Sequence, residues 1–324
     1  MNSLFDKLES KPQPIAELKA GESVNWFYRI QEITRRKSLN SKKDYLDLTV
    51  VDHSGRMAAK IWDNVDALHK MIQAGSIYRI SGEVSEYRGK LQLKIARARP
   101  LEAGDGSCRP EDFDERPPFD SAALLEETFA MLRDHIHDPH LRRLSEMFQA
   151  EFGPVFEQAY GAQKIHHAFA GGLLQHTHAL LKLVLAIAPH YGLDTELLLI
   201  GALFHDIGKT AEFKTQPALE TTLAGGLLGH LVISLTVFLE MKNRIPGFPE
   251  PLSVRVQHLI VSHHGEKEFG SPEVPKTPEA YMLHILDLLD SRMSIFSEQL
   301  KAGDGQKLFS EFNQALGTRI LLDK

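Results

Sequence analysis

Residues 199–213 read LIGALFHDIGKTAEF, an apolar run that ends in His205 and Asp206 side by side, followed by Ile207, a glycine and a lysine. The apolar density predicts a buried helix over 195–206. Such a helix end accepts one polar residue if a hydrogen-bond partner is near. Two adjacent ionisable groups are costly there unless a positive charge holds them. A metal ion would hold them, provided the rest of the chain supplies further ligands.

The pattern turns helical after Ser121 and stays so. Spacing of apolar residues predicts helices at 121–137, 140–150, 152–160, 165–189, 195–206, 222–244, 251–263, 278–300 and 305–316, with no strand between them. The polar residues of interest sit on these helices. His176 lies in HHAFAGGLLQHTHAL, His230 in TTLAGGLLGHLVISL, His263 and His264 in SVRVQHLIVSHHG, and Asp287 in YMLHILDLLDSRM. One histidine on an apolar face is ordinarily a packed core residue. A whole set of them with aspartates would leave too many buried polar groups without a common partner. Imidazole and carboxylate donors suit Mn, Fe or Zn, and an aspartate can bridge two ions. His178, His190, His258 and His284 carry no such context and read as packing or surface histidines.

The chain has 324 residues, of which 43% are hydrophobic and 25% charged, enough for two globular domains. Its single cysteine, Cys108, excludes an intramolecular disulfide and a Cys-based zinc ribbon, and fits a reducing compartment. The N-terminal stretch MNSLFDKLESKPQP has no apolar core of a secretory signal. The most apolar stretch, 179–188, contains Lys182 and is too short for a bilayer. These features predict a cytoplasmic protein with no membrane partner. Net charge is −6, but residues 21–100 hold 15 Lys and Arg against 9 Asp and Glu, a local excess of +6. Residues 1–20 balance, so 101–324 carry −12. Fourteen of the 16 histidines also lie beyond residue 120. The two halves have different jobs.

In the basic half, β-branched and aromatic runs alternate with turn signals. Strands are predicted near 24–37, 45–52, 56–62, 77–87 and 91–98, with Leu46, Leu48 and Val50 facing one way. Between the third and fourth strands, 64–74 has helical spacing. Five strands with one helix in that place are the order of an OB-fold barrel. The domain plan is therefore an N-terminal segment (1–20), an OB barrel (21–102), a Gly-, Pro- and acid-rich linker or wrapping arm (103–120) and an all-α domain (121–324). An OB groove stacks bases on aromatics while cations track phosphates. The candidates are Arg35, Arg36, Lys37, Lys42, Lys43, Tyr45, Tyr87, Arg88 and Lys90. Each taken singly reads as a solvated hairpin tip; as a set they point to nucleic acid. Trp26 and Trp62 read as core.

His176, His205-Asp206 and Asp287 in this order resemble the HD superfamily of metal-dependent phosphohydrolases, and His230 with the SHHG pair resembles its binuclear members. More narrowly, an OB domain followed by HHAFAGGLLQHT, ALFHDIGKT, GGLLGH, SHHGEKEFGSPEVPKTPEA and LDLLD is similar to the YhaM-type 3'-5' exoribonucleases, over nearly the whole chain. The resemblance implies two divalent ions, Mn²⁺ favoured, with Fe, Zn, Co or Mg as other candidates. The first would take His176, His205, Asp206 and Asp287, with Asp290 as the alternative to Asp287. The second would share Asp206 and take His230, His263 and His264. Lys209 would stabilise charge on a non-bridging phosphate oxygen. His167 would contact the substrate phosphate or protonate the leaving oxygen, or else orient a ligand. The substrate implied is single-stranded RNA, with single-stranded DNA as a second candidate, cut to nucleoside 5'-monophosphates. Two other classes stay open: a phosphodiesterase or nucleotidase acting on a small nucleotide, and a non-catalytic RNA-binding protein whose metal is structural.

Overall fold

The computed structural model describes residues 12–38, 42–87, 89–102, 105, 110–113, 116–162, 169–214, 220–301 and 308–322. Arg88, Cys108 and His167 lie outside the described residues, as do 165–168 and 305–307 of two predicted helices. The chain divides into two compact units that change over between Pro118 and Phe119.

The first unit is a closed barrel. Its strands are β1 (Ser23–Lys37), β2 (Asp44–Asp52), β3 (Gly55–Ile61), β4 (Ile77–Tyr87) and β5 (Lys90–Pro100), in the order β1-β2-β3-β5-β4. The helix α1 (Val65–Met71) lies between β3 and β4, as the pattern predicts. β1 is long because it serves two neighbours: Ser23–Arg29 pairs with β4 and Arg29–Lys37 with β2. A register shift between Ile30 and Glu32 bends it from one to the other. Leu46, Leu48 and Val50 are buried inside with Ile30, Ile80 and Leu93. The segments on either side of the barrel also belong to it. Ile15 and Leu18 are buried in its core, and the Ile15 N–H donates to Asp52 Oδ2 at 2.9 Å. On the other flank Phe113 is 2% exposed, and the Asp112 carbonyl lies 3.3 Å from His53 Nδ1. Within the acid-rich stretch, then, 110–113 acts as an arm.

The second unit is helical: α2 (Ser121–His135), α3 (Pro139–Phe156), α4 (Gly172–Tyr191), α5 (Thr195–Phe204), the single turn α6 (Lys209–Glu212), α7 (Leu223–Lys242), α8 (Glu250–Ser262) and α9 (Pro278–Lys301). Asp120, Asp138, Asp194 and Thr222 cap helix starts by accepting from backbone N–H groups. Every residue from Leu197 to Phe204 is buried, so α5 runs through the core. Phe204 packs on Phe148 and Phe238 with ring centroids 5.1 and 5.7 Å apart. That packing fixes the end of α5, and with it His205 and Asp206.

Four predictions need correction. The two helices expected at 140–150 and 152–160 are one, Pro139–Phe156, because Pro154 falls in the last turn and breaks little. α4 begins at Gly172 rather than 165, behind Gly171 at φ 79°. Two short strands, β6 (Phe213–Lys214) and β7 (Glu220–Thr221), pair within the helical unit. The part of 305–316 that is described is not a helix. Residues 308–322 double back instead, bridging Phe309 to Leu321 and Asn313 to Thr318 around Gly317 at φ 67°.

α7 is long and apolar enough to cross a bilayer by length and composition. Its geometry is interrupted at Gly229 (φ 71°, ψ 163°), the residue before His230, and Leu223, Leu227 and Leu228 are exposed.

Candidate metal centre and nucleic-acid face

Five elements deliver polar side chains to one place in the helical unit. α4 carries His176, the turn after α5 carries His205 and Asp206, α7 carries His230, the end of α8 carries His263 and His264, and α9 carries Asp287. Gly208 lets two of these elements meet. A Cβ on it would stand 2.2 Å from the His230 carbonyl oxygen, and its N–H donates to Ser234 Oγ at 2.8 Å.

The donors form three overlapping groups: His176, His205 and Asp287; His205, Asp206 and His263; and His230, His263 and His264. Within each group the ligand atoms lie within 4.8 Å of one another. His205, Asp206 and His263 are 0%, 3% and 1% exposed.

Each of the five rings is oriented from behind. The Nδ1 atoms of His205, His263 and His264 lie 2.9, 2.8 and 3.0 Å from the carbonyls of Ala202, Ile260 and Phe269. His176 Nδ1 lies 2.7 Å from Asp290 Oδ2, and His230 Nδ1 lies 3.1 Å from Glu212 Oε2. An acceptor at Nδ1 fixes the proton there, so each neutral ring turns an Nε2 lone pair inward. These Nε2 atoms then meet one another, His176 to His205 at 3.3 Å and His230 to His264 at 3.2 Å. Facing lone pairs repel unless a cation sits among them.

Asp206 makes the same point. Its Oδ2 bonds Lys209 Nζ at 2.6 Å, while its buried Oδ1 has no hydrogen-bond partner. That orphaned oxygen faces His230 Nε2 at 3.5 Å and His263 Nε2 at 3.6 Å. The donor set therefore fits divalent metal.

The electrostatics agree. Burial would raise the Asp206 carboxyl, but Lys209 and His205 hold it well below its usual range. Burial would lower the Lys209 ammonium, and Asp206 keeps it raised. Burial and then His205 hold His263 well down, and burial and then His230 lower His264, which leaves both as neutral ligands. Burial would also lower His176, but its hydrogen bonds to Asp287 and Asp290 override this and raise it to about 9. Without metal, a proton takes the place of an ion on His176.

Every sequence-derived metal ligand is in this cluster, and Lys209 points into it rather than into solvent. Asp287 Oδ1 lies 3.2 Å from His176 Nε2, on the donor side, whereas Asp290 stands behind the ring at Nδ1. The sequence reading missed Glu212, and weighed Asp290 as a ligand, whereas its Oδ2 meets His176 at Nδ1, away from the other donors. The available signal was spacing: Asp290 is three residues after Asp287 on one helix face, and Glu212 is three after Lys209.

The barrel candidates fall at two locations. One is the sheet of β1, β2 and β3, on whose outer face Arg36 lies opposite Tyr45 while Arg35 pairs with the buried Leu46. There Tyr45 stacks on Trp62 with centroids 4.6 Å apart at 22°, and Lys60 Nζ lies 5.2 Å from the Tyr45 centroid. Trp62 is 39% exposed, which corrects the reading of it as core. Trp62 is beside Tyr45 because Leu46 pairs with Ile61, which puts the preceding and following residues opposite each other. On the same strands Arg35 is held by Asp44 and Asp66 at 2.6 and 2.8 Å, and Arg36 by Asp47 at 3.0 Å. Asp47 also pairs with Lys60. Lys37, Lys42 and Lys43 continue at the β1–β2 turn. The second location is the β4–β5 hairpin, where Tyr87, 59% exposed, pairs with Lys90.

A donor cluster of this kind in a helical unit, in one chain with an OB barrel, marks a metal-dependent phosphohydrolase joined to a nucleic-acid-binding module. Family comparison agrees: residues 173–292 match the HD domain and residues 29–101 the OB-fold nucleic acid binding domain. The 3'-5' exoribonuclease YhaM of Shouchella clausii is 33% identical over 305 residues, covering 93% of each chain. That of Bacillus subtilis is 32% identical over 290 residues, covering 88% of this chain and 91% of its own. The chain belongs to the YhaM family of 3'-5' exoribonucleases.

Proposed function

We propose that the protein hydrolyses the 3'-terminal phosphodiester of single-stranded RNA and releases nucleoside 5'-monophosphates. In this reading the barrel (21–102) holds the strand and the helical domain (121–324) performs the chemistry. The observation that carries it is the buried, unpartnered Asp206 Oδ1 among inward-facing histidine nitrogens. Two divalent ions, Mn²⁺ favoured, would be held by His176, His205, Asp206 and Asp287 and by Asp206, His230, His263 and His264. Bound there, they supply Lewis-acid polarisation of the phosphate and lower the pKa of the attacking water.

The chain's own groups do the rest. Asp206 joins the two halves of the donor set. Lys209 keeps Asp206 ionised and has two further N–H donors to offer a non-bridging oxygen as charge grows on it. Asp290 and Glu212 keep the Nε2 atoms of His176 and His230 aimed inward. On the barrel, the Tyr45–Trp62 pair offers an aromatic face for bases, while Lys37, Lys42, Lys43 and Lys90 follow the phosphates. The same groove would hold single-stranded DNA. We place the protein in the cytoplasm, on its single cysteine and its RNA substrate.

The test is a parallel assay of homopolymer RNA, homopolymer DNA, mononucleotides and cyclic dinucleotides. Nucleoside 5'-monophosphate from RNA, with the small nucleotides untouched, is the expected result. Turnover confined to mononucleotides or cyclic dinucleotides would establish the small-nucleotide reading instead.

A further inference from the structure

The donor set is tied to an exposed aromatic residue that has no part in it. His264 is oriented by the main-chain carbonyl of Phe269, 3.0 Å from its Nδ1. The same residue is 61% exposed. One residue thus joins a ligand histidine to an apolar ring in water.

The loop that carries the ring is built rather than loose. Gly265 begins it at φ 80°, and the His284 ring occupies the space where a Cβ would stand, 2.2 Å away. His284 is fixed in turn by the His263 carbonyl, 2.8 Å from its Nδ1. The Phe269 N–H closes a turn onto the Glu266 carbonyl at 3.0 Å, and Gly270 follows at φ 85°. Ser271 then anchors the far end. It is 4% exposed, and its Oγ lies 2.7 Å from the Glu273 carbonyl and 3.0 Å from that of Val261. An apolar ring carried into solvent on a loop anchored at both ends is placed to meet a flat partner.

At a centre that cuts a terminal phosphodiester, the nearest flat partner is the base one sugar away from the phosphate. We propose that Phe269 is the stacking platform for the base of the 3'-terminal nucleotide, a specificity-determining residue for the exoribonuclease reaction. It rests on the reading given under the proposed function. Every base has a π face, so the platform accepts all four and rejects a terminus that lacks a base.

The experiment uses the full-length, metal-loaded protein and two RNA oligonucleotides that differ only at the 3' end, one with an ordinary terminal nucleotide and one abasic. The parent protein should show a KM about ten-fold higher for the abasic end, from the loss of one base–aromatic stack. Phe269→Ala should raise KM for the ordinary end to the abasic level, treat both ends alike and leave kcat little changed. Phe269→Trp should restore the discrimination. Metal content should be unchanged in Phe269→Ala, because alanine keeps the carbonyl that holds His264. The proposal is overturned if Phe269→Ala still discriminates, or if its KM rise comes with lost metal. Equal KM values for both ends in the parent protein overturn the platform alone. Hydrolysis of neither oligonucleotide overturns the exoribonuclease reading, and the platform with it.

Discussion

The two units treat charge in opposite ways. In the barrel, Arg35 is neutralised by Asp44 and Asp66, and Arg36 and Lys60 by Asp47. In the helical unit, two carboxylates and five imidazoles converge with Lys209 as their cation, and one carboxylate oxygen has no partner. Total charge suggests that the barrel attracts and the helical domain repels a polyanion. The pairing shows that part of the barrel's +6 is already used within the fold, and that the attraction in the helical unit belongs to the centre itself. Net charge counts groups; partners decide which of them remain available.

The largest expected effect is at the atom without a partner. Asp206→Ala should abolish hydrolysis and lower bound metal, since the shared carboxylate joins both halves of the donor set. His178→Ala should leave both little changed, because His178 bonds Thr128 Oγ1 at 3.0 Å and faces away from the donors. Equal losses in the two variants would mean that the centre lies elsewhere.

Next come the supporting carboxylates. Asp290→Asn and Glu212→Gln should each weaken metal affinity by about 10–100-fold, the usual loss when a partner behind a ligand histidine is removed. Calorimetric titration of the metal-free variants reads this directly. An unchanged affinity in Asp290→Asn would leave His176 held by packing alone.

A pH effect follows from His176. Its folded pKa is raised to about 9 in the metal-free protein, so below that pH an incoming ion must displace a proton. Apparent metal affinity should rise about ten-fold per pH unit up to about pH 9 and then level off. The same shift stabilises the metal-free fold fully below the unfolded value of 6.5, and that contribution is lost as pH rises through 9. Melting temperature of chelated protein across this range should therefore fall. A rise would assign the proton to another group.

The smallest effect separates the two kinds of barrel contact. With Arg35 and Arg36 held by carboxylates, two or three lysine contacts should give a slope of log affinity against log salt of about −1.5 to −2 for single strands. Replacing Lys42 and Lys43 by alanine should make it shallower by about one. Trp62→Ala should weaken binding and leave the slope alone, because stacking releases no counterions. Parallel loss of slope in Trp62→Ala would mean that the aromatic pair only props up the lysines.

The barrel and the polar residues that cluster in the helical unit were legible because both follow local rules. Alternation showed Leu46, Leu48 and Val50 as core, and the adjacency of His205 and Asp206 in an apolar run called for a positive group to hold them. What was not legible depended on distant partners. Trp62 reads as core by residue type, yet register places it on the outer face against Tyr45. Lys209 was named only through the family resemblance, and its pairing with Asp206 at 2.6 Å lies in no local pattern. Residues 308–316 have helical spacing, but the bridges to 318–321 win through pairing that no local window contains.

The central claim is that this donor cluster removes nucleotides from the 3' end of RNA. The most direct test incubates 5'-labelled single-stranded RNA with the purified protein and Mn²⁺, and sizes the labelled products over time. The account predicts a ladder that shortens one nucleotide at a time with the 5' label retained on every shortened RNA, and intact RNA with Asp206→Ala or with chelator. Release of the label as a mononucleotide at the outset, or an unchanged ladder with Asp206→Ala, would contradict it.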